Sequence, residues 1–346
     1  MKKLAILILV TFGLGQAFLD QPEFSKVGMS GAQFLKIPTS ARVVGLGGAF
    51  TAIANDLSTL HVNPAGVTNI QRRGFTATEV RWIADINYAY MGIAVPMGYN
   101  AIGFNMSALT MGKIRKTTYD DPYGDNTSDF TAHSEMLGII FGRKMTDKLG
   151  VGIEGKVVHE AISNLSATGI ALDLGTYYNT GFKSLRIGMT VHNFGTDMQF
   201  NGQDLKVPTI PSDWQEEYGY QGNPLPLLLE TSPYKLPLYF RLGIAYDFVN
   251  VPKNKLTGAL DLIHPNDGLE KVLVGAEYEY DRFFYLRAGY KLDPDRFYDK
   301  KSALESLSAG FGVKFNVGPQ LISLDYAFYN NGRLGLNHFF TISYAF

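Results

Sequence analysis

Residues 40–66 are the first place in this sequence to look for chemistry. The stretch SARVVGLGGAFTAIANDLSTLHVNPAG contains Gly45, Gly47 and Gly48, then Asp56 and an Asn-Pro-Ala-Gly break. Such glycines cradle a dinucleotide when they follow a strand, open a helix and precede an acidic residue about twenty positions on. That full context is missing here. The glycines alone therefore do not predict a nucleotide site.

Other groups capable of chemistry are scattered along the chain. The six histidines lie far apart without zinc-ligand spacing, and there is no cysteine for a disulfide, a thiolate metal site or a nucleophile. The acidic loop YDDPYGDNTSD lacks the ligand alternation of an EF-hand; a solvated loop and a surface calcium site both stay open for it. No catalytic triad or nucleophile elbow can be assigned. We therefore expect no enzyme activity, no cofactor and no catalytic metal.

Charge and the N-terminus narrow the class of protein further. A net charge of -1 argues against a nucleic-acid partner, which needs clustered Lys and Arg. Lys2 and Lys3 precede an apolar run from Leu4 to Val10, and small residues follow at 15–17. This pattern predicts a signal peptide, residues 1–17, cleaved after Ala17. The run is too short for a membrane-spanning anchor.

From about residue 74 the pattern alternates with period two, as in strands with two different faces. Phe240, Leu242 and Ile244, for example, alternate with Arg241 and Gly243. Most segments reach the roughly 9–11 residues that a tilted transmembrane strand needs. Fourteen strands are predicted, near 74–81, 84–96, 98–112, 132–145, 148–163, 166–178, 185–195, 237–249, 255–264, 269–281, 283–293, 304–317, 319–330 and 334–346.

The connections and the C-terminus agree with a bacterial outer-membrane barrel. The long insertions 113–131, 196–236 and 294–303 all follow odd-numbered strands, so they fall on one side, as external loops do. The last strand carries Phe340, Ile342, Tyr344 and Phe346 on one face. Such an end resembles the signal read by the barrel-assembly machinery. We expect an all-β transmembrane antiparallel barrel over residues 74–346, in contact with outer-membrane lipids.

Residues 31–66, GAQFLKIPTSARVVGLGGAFTAIANDLSTLHVNPAG, resemble the FadL-like outer-membrane proteins, and more closely the PorV/PorQ family within them. The resemblance implies a fourteen-stranded barrel whose N-terminal segment, here residues 18–73, folds into the lumen as a hatch or plug. It also implies that the Asn-Pro-Ala motif of that hatch is Asn63-Pro64-Ala65. The predicted hatch residues are Arg42, Gly45, Gly47, Gly48, Asn55, Asp56, Asn63, Pro64, Ala65 and Gly66.

The composition of this segment suits a crowded lumen. Glycine permits close backbone approach and positive φ, and Pro64 is expected to end any helix that begins in GGAFTAIAND. Asn55 and Asp56 are expected to cap a helix or to bond to arginines that face the lumen. Arg42 is expected to bond in the same way to acidic residues that face the lumen. Packing of the plug is the favoured interpretation, and a direct ligand role the alternative, because buried polar groups mostly satisfy each other.

The connection 196–236 is the most apolar external segment, with five prolines and PLPLLLE. Exposed apolar patches usually mark contact surfaces, which makes it a candidate partner or ligand loop. Burial against the barrel mouth is the alternative. The residues of interest are Trp214, Leu225, Leu227 and Leu228.

Two functions remain from the sequence. The PorV/PorQ resemblance implies an accessory of type IX secretion and of cell-surface attachment, with a translocon and its exported substrates as partners. The hatch and the apolar loop favour instead FadL-type passage of long-chain fatty acids or other hydrophobic compounds. A structural barrel with a permanently closed hatch is the third possibility.

Overall fold

A computed structural model of the chain describes residues 28–117, 121–125, 129–209, 225–293 and 306–346. The predicted signal peptide, 1–17, lies outside these residues. The strands are β1 Gly74–Arg81, β2 Asn87–Met97, β3 Asn100–Thr110, β4 Ala132–Lys144, β5 Leu149–Ile162, β6 Leu165–Asn179, β7 Arg186–Gly195, β8 Asn201–Gly202, β9 Lys206–Thr209, β10 Leu225–Leu228, β11 Tyr239–Val251, β12 Asn254–Pro265, β13 Lys271–Tyr280, β14 Phe284–Leu292, β15 Leu307–Val317, β16 Gln320–Asn330 and β17 Leu336–Ala345.

Fourteen of these strands form one closed antiparallel barrel. Each strand of β1–β7 and β11–β17 pairs with its neighbours, β7 pairs with β11, and β17 pairs with β1. The register of the closing pair runs from Gly74 opposite Ala345 to Arg81 opposite His338. The predicted fourteen strands are confirmed, with ends that differ by a few residues. Closure leaves no unpaired edge in the barrel wall, which a lipid environment requires.

The connection between β7 and β11 contains strands that the sequence did not predict. β8 pairs with β6, and β9 with β10 forms a separate two-stranded hairpin. These short strands lack the long alternating pattern, so they read as loop. Trp214 lies outside the described residues.

Two faces of the wall explain the period-two pattern. On β2, Met91 and Ile93 are about half exposed, whereas the alternating Tyr88 and Tyr90 are buried. The same alternation places exposed apolar side chains on the outside of most barrel strands and charged or small ones inside. The outer surface is therefore apolar, as a hydrocarbon environment favours. Among the described residues, no helix is long and apolar enough to cross a bilayer.

Residues 31–70, called the inner segment below, pack against the inward face of this wall. They form the α-helix α1, Ala41–Gly45, and the 3₁₀ helices Gln33–Lys36, Leu57–His61 and Pro64–Asn69; further 3₁₀ turns lie at Ile83–Asp85, Gln203–Leu205 and Gly332–Leu334. Ser40 caps α1 by accepting from the backbone N–H of Arg42 at 3.2 Å. These helices are too short to be stable alone, so their order comes from packing inside the barrel.

Inward-facing glycines make room for the inner segment. A β-carbon on any of them would lie within 3 Å of an inner-segment atom: Gly92, Gly103, Gly142, Gly150, Gly152, Gly175, Gly188, Gly243, Gly275 and Gly289. The closest approach is at Gly289, where a β-carbon would be 1.9 Å from the backbone N of Gly47. Gly47 and Gly48 themselves have φ of 65° and 90°, which favours glycine. The wall thus meets the backbone of the inner segment at Gly152, Gly188, Gly275 and Gly289, and its side chains at the other six glycines.

Candidate functional site

A network of buried ion pairs joins the inner segment to the wall. Arg42 donates to Glu277 of β13 from Nε at 2.8 Å and from Nη2 at 2.6 Å. Glu277 also accepts from Nε of Arg287 at 2.7 Å, and Arg287 Nη1 donates to Asp325 at 2.6 Å. The two parallel bonds between Arg42 and Glu277 fix the orientation of the guanidinium group as well as pairing the two charges. One carboxylate therefore serves two guanidinium groups from different parts of the chain.

Asn55 and Asp56 meet the same arginine. Arg42 Nη1 donates to Asn55 Oδ1 at 2.8 Å and to Asp56 Oδ2 at 2.5 Å, and Asp56 also caps the helix Leu57–His61. Burial acts to lower the pKa of Arg42, but Asp56 and Glu277 more than offset it, so that pKa lies well above its ordinary value. Burial acts to raise the pKa of Asp56, yet Arg42 and Lys314 leave it lowered. Arg42 and Asp56 therefore both stay charged, and they anchor the inner segment rather than act as an acid or a base.

A second anchor holds the turn around Gly48. Asp261 of β12 accepts from the backbone N–H groups of Phe50 and Thr51, each at 3.1 Å, and from the Thr51 hydroxyl at 2.7 Å. Arg241 pairs with the same carboxylate and donates to the carbonyl of Gly48. Neither side chain lies near this turn in sequence, so only the fold brings them together.

The Asn-Pro-Ala motif is a third anchor. Asn63 donates from its amide to the carbonyls of Thr51 at 2.9 Å and Thr176 at 3.0 Å, and accepts from the backbone N–H of Ala65 at 3.0 Å. Pro64 is the first residue of the helix Pro64–Asn69, and GGAFTAIAND forms turns. No helix begins within GGAFTAIAND, so there is no such helix for Pro64 to end, and Pro64 begins one instead. Proline lacks the N–H that a first helical residue does not need.

The remaining predicted positions of the segment are buried or turn residues. Gly45 ends α1, and Gly66 lies so close to Thr59 that a β-carbon would be 1.9 Å from the Thr59 hydroxyl. These contacts are with the protein itself. A role as ligand contacts for any of the predicted hatch residues stays a prediction.

A fourth anchor was missed in the sequence. Asp173 accepts from Lys156 Nζ at 2.7 Å; His192 Nδ1 lies 2.5 Å from the same carboxylate, and His192 Nε2 lies 3.0 Å from the carbonyl oxygen of Val62. A β-bulge between β6 and β7 lies here, and Asn193 has φ of 60°. Lys156 and Asp173 occupy inward-facing positions of β5 and β6. Many other polar residues of the barrel also face inward, so the alternation in the sequence does not distinguish these two.

At the end of the barrel that carries the long connections, the inner segment is clamped to the connection between β12 and β13. Asp267 accepts from Lys36 Nζ at 2.5 Å, from Gln33 at 2.7 Å and from the Ser30 hydroxyl. Burial acts to raise the pKa of Asp267, and these bonds reverse that effect, leaving it lowered. We call this contact the mouth clamp.

A cavity of about 280 Å³ lies behind the mouth clamp, between the inner segment, Trp82 and inward residues of β11–β14, β16 and β17. Trp82, Tyr239, Ile263, Leu273 and Phe339 supply apolar lining; Lys36, Arg241, Lys271 and Lys291 supply positive charge. His61 forms part of the lining, and burial lowers its pKa to about 3, so its ring is neutral at physiological pH. The lining is largely apolar and aromatic with a few polar groups, as in ligand pockets, and the volume lies just below their usual range of roughly 300–1,000 Å³.

The other predicted residues lie elsewhere. Leu227 and Leu228 are 49% and 66% exposed on the β9–β10 hairpin, and the side chain of Leu225 is outside the described part. Phe340, Ile342 and Phe346 are exposed on the outer face of the barrel. The partner role of the hairpin and the assembly role of the C-terminus stay predictions. No cluster of three or more metal-ligating side chains occurs within the described ranges.

Comparison with known proteins supports the fold. A family model described as an uncharacterised protein family, UPF0164, matches residues 20–188. A UPF0164 protein of Treponema pallidum (strain Nichols) is 25% identical over 178 residues, which cover 46% of this chain and 42% of that protein. The match therefore spans less than half the length of that relative.

Three solved structures share the architecture of the whole barrel. The CymD monoaromatic hydrocarbon channel matches with a TM-score of 0.55 and 14% identity, over 89% of this chain and 97% of its own. The toluene transporter TbuX of Ralstonia pickettii gives 0.52 and 13%, over 92% and 98%. The toluene transporter TodX of Pseudomonas putida gives 0.54 and 13%, over 93% and 99%.

The chain has a FadL-like fold. At such low identities the likeness concerns the fold alone, and the substrates of those channels do not transfer with it. The relation to PorV/PorQ within FadL-like barrels is a finer statement that rests on residues 31–66 alone.

Proposed function

We propose that this FadL-like barrel carries small hydrophobic molecules across the bacterial outer membrane. The observation that carries the proposal is the apolar cavity behind the mouth clamp, bordered by the inner segment and by inward residues of the wall. In this proposal the inner segment acts as a hatch, and the cavity is the first binding site for the hydrophobic molecule on its way through the barrel. The apolar outer wall and the predicted signal peptide support the outer-membrane location.

Adjacent residues on opposite faces of β12 provide the test. Ile263 lines the cavity, whereas Leu262 faces outward and is 39% exposed. Cells that lack other hydrophobic-compound barrels would produce the wild type, Ile263→Trp or Leu262→Trp. We expect uptake of labelled toluene or of a long-chain fatty acid with the wild type and with Leu262→Trp, and several-fold slower uptake with Ile263→Trp. Equal rates in producing and non-producing cells would refute the proposal.

The second candidate is an accessory role in type IX secretion. Its support is the resemblance of residues 31–66 to PorV/PorQ. None of the contacts described above bears on it. Deletion of the gene should then deplete the cell surface of exported proteins without altering uptake of hydrophobic compounds. An unchanged surface proteome would rule out this role.

A further inference from the structure

The end of the barrel opposite the mouth clamp is made of short connections. Residues 70–73 lead into β1 there, and six hairpin turns join the strands: 98–99, 145–148, 180–185, 252–253, 281–283 and 318–319. We call these seven segments the short-turn rim. All of their residues are among those that the structure describes.

The short-turn rim carries an excess of positive charge. Its two acidic side chains are Asp147 and Asp281, and its six basic ones are Arg72, Arg73, Lys148, Lys183, Lys253 and Arg282. All eight are exposed. The long connections at the other end of the barrel have the opposite bias, because their described parts carry more acidic than basic side chains.

The cations of the rim are not neutralised by the protein. The ion pairs near this end of the lumen join Arg186 and Lys255 to Asp247, and all three residues belong to strands of the wall. Within the described residues, none of the six basic side chains of the rim forms an ion pair with a carboxylate. Their charge is therefore open to a partner from outside the chain.

Each hairpin of the rim also exposes an apolar or aromatic side chain, in the turn or at the last residue of the strand before it. These side chains are between 51% and 73% exposed: Tyr99, Met145, Phe182, Val251, Phe283 and Val317. They extend around the whole circumference of the barrel, because every hairpin at this end contributes one.

The cations lie beside these apolar side chains. Lys183 Nζ is 5.9 Å from the centre of the Phe182 ring. Arg72 Nη1 donates to the carbonyl of Pro319 at 2.8 Å, which brings its guanidinium group to the hairpin after β15. In the hairpins after β4, β11 and β13, the basic residue is one to three positions from the apolar one.

This combination suits the boundary between hydrocarbon and water. Aromatic side chains form girdles at that level in outer-membrane barrels, and long basic side chains reach the headgroups while their stems stay on apolar surface. Long connections are external in these barrels, so the short-turn rim meets the inner leaflet. Each Lys or Arg near an anionic lipid surface adds roughly a factor of five in affinity.

We propose that the short-turn rim binds the headgroups of anionic phospholipids, such as phosphatidylglycerol, in the inner leaflet of the outer membrane. The apolar side chain of each hairpin lies against the acyl chains, and the neighbouring ammonium or guanidinium group bonds to the phosphate. Charge complementarity favours this occupant, because the rim has unpaired cations and few carboxylates. The inference does not depend on the proposed transport function, since no residue of the rim lines the cavity.

Spin-labelled lipids test the proposal. The purified barrel would be reconstituted in phosphatidylcholine vesicles with a trace of spin-labelled phosphatidylglycerol or spin-labelled phosphatidylcholine. Electron paramagnetic resonance gives the fraction of each lipid that the protein immobilises. We expect the wild type to prefer phosphatidylglycerol by up to about fivefold. In 1 M NaCl the preference should fall towards one, because the screening length is then about 3 Å.

A triple variant removes half of the cations of the rim. Lys183→Gln, Lys253→Gln and Arg282→Gln act together in three different hairpins, and they should lower the preference for phosphatidylglycerol by at least about twofold. All three side chains are exposed, so the barrel should fold as before. Thermal unfolding followed by circular dichroism verifies this.

The matched control removes the same charge from the other end of the barrel. Lys113→Gln, Lys206→Gln and Lys235→Gln replace three exposed lysines of the long connections. This second triple variant should keep the preference of the wild type.

The outcomes are distinct. No preference in the wild type, or a preference that the rim variant keeps, would overturn the proposal. Loss of the preference in the control variant alone would overturn it too, because the lipid would then bind near the long connections. Retention of the barrel on purified peptidoglycan without any lipid preference would assign the rim to that polymer instead. The uptake test with Ile263→Trp decides the transport function separately.

Discussion

Glu277 is the residue on which the contact between inner segment and wall most depends, because it accepts from both Arg42 and Arg287. The side chains of Glu277, Arg42 and Arg287 are 4%, 3% and 0% exposed, so water cannot take the place of the Glu277 carboxylate beside either arginine. Glu277→Gln should destabilise the protein by about 3 kcal/mol, the lower end of the usual cost of breaking a buried ion pair, because Arg42 keeps Asp56 and Arg287 keeps Asp325. The measurement is equilibrium unfolding in denaturant, with the wild type alongside.

Glu279→Gln is the control for this change. Glu279 lies two positions further along β13 on the same inward face and is only partly buried. A surface-like change of this kind should alter stability by no more than about 0.5 kcal/mol. Similar effects of the two substitutions would show that the network does not hold the inner segment.

At the scale of elements, the barrel accepts the inner segment because its strands present glycine at the contact. Gly289→Val would place side-chain atoms where the backbone of Leu46 and Gly47 now lies. We expect the barrel to form and the inner segment to be displaced, which limited proteolysis within residues 31–70 would detect. Gly155→Val is the comparison, since a β-carbon at Gly155 would meet nothing closer than 4.0 Å. Protection of the inner segment in both variants would contradict the close fit.

At the scale of the whole molecule, the inner segment runs from the mouth clamp at one end of the lumen to the Asn-Pro-Ala turn and then into β1. The pKa of Asp267 is lowered in the folded protein, so the clamp contributes stability above the unfolded pKa and loses it as the pH falls through the folded value. Acidification below about pH 4, the ordinary range for aspartate, should therefore release this end first.

Trp82 should report this opening because it lines the same cavity as Gln33 and Lys36 of the clamp. In a Trp214→Phe variant, which leaves Trp82 as the one tryptophan of the chain, its emission should shift to the red as the pH falls below the ordinary aspartate range near pH 4, because the pKa of Asp267 is lowered. Asp267→Asn should show the shifted spectrum at neutral pH with no further change in that range. A pH response that persists in Asp267→Asn would assign the titration to another group.

Most of the fold can be predicted from the sequence, for a local reason. A strand between lipid and lumen must alternate apolar and polar side chains. The alternation is visible in neighbouring residues, as in Phe240, Arg241 and Leu242. The short hairpin β9–β10 was missed because four-residue strands carry too little alternation to be distinguished from loop. Pro64 begins the helix Pro64–Asn69, a position that the sequence did not single out because proline is compatible with either end of a helix.

The sequence by itself determined the barrel, its fourteen strands and the distinct N-terminal segment, because each depends on patterns within a few residues. Only the tertiary structure decided which inward charges meet. Arg42 and Glu277 are 235 positions apart, and Lys271 and Lys291 line one cavity only once β13 and β14 pair. Many inward polar residues satisfy the same alternation, so the sequence shows that they point inward but not with which group each one pairs. Barrel closure and the path of the inner segment choose the partners, and with them the cavity.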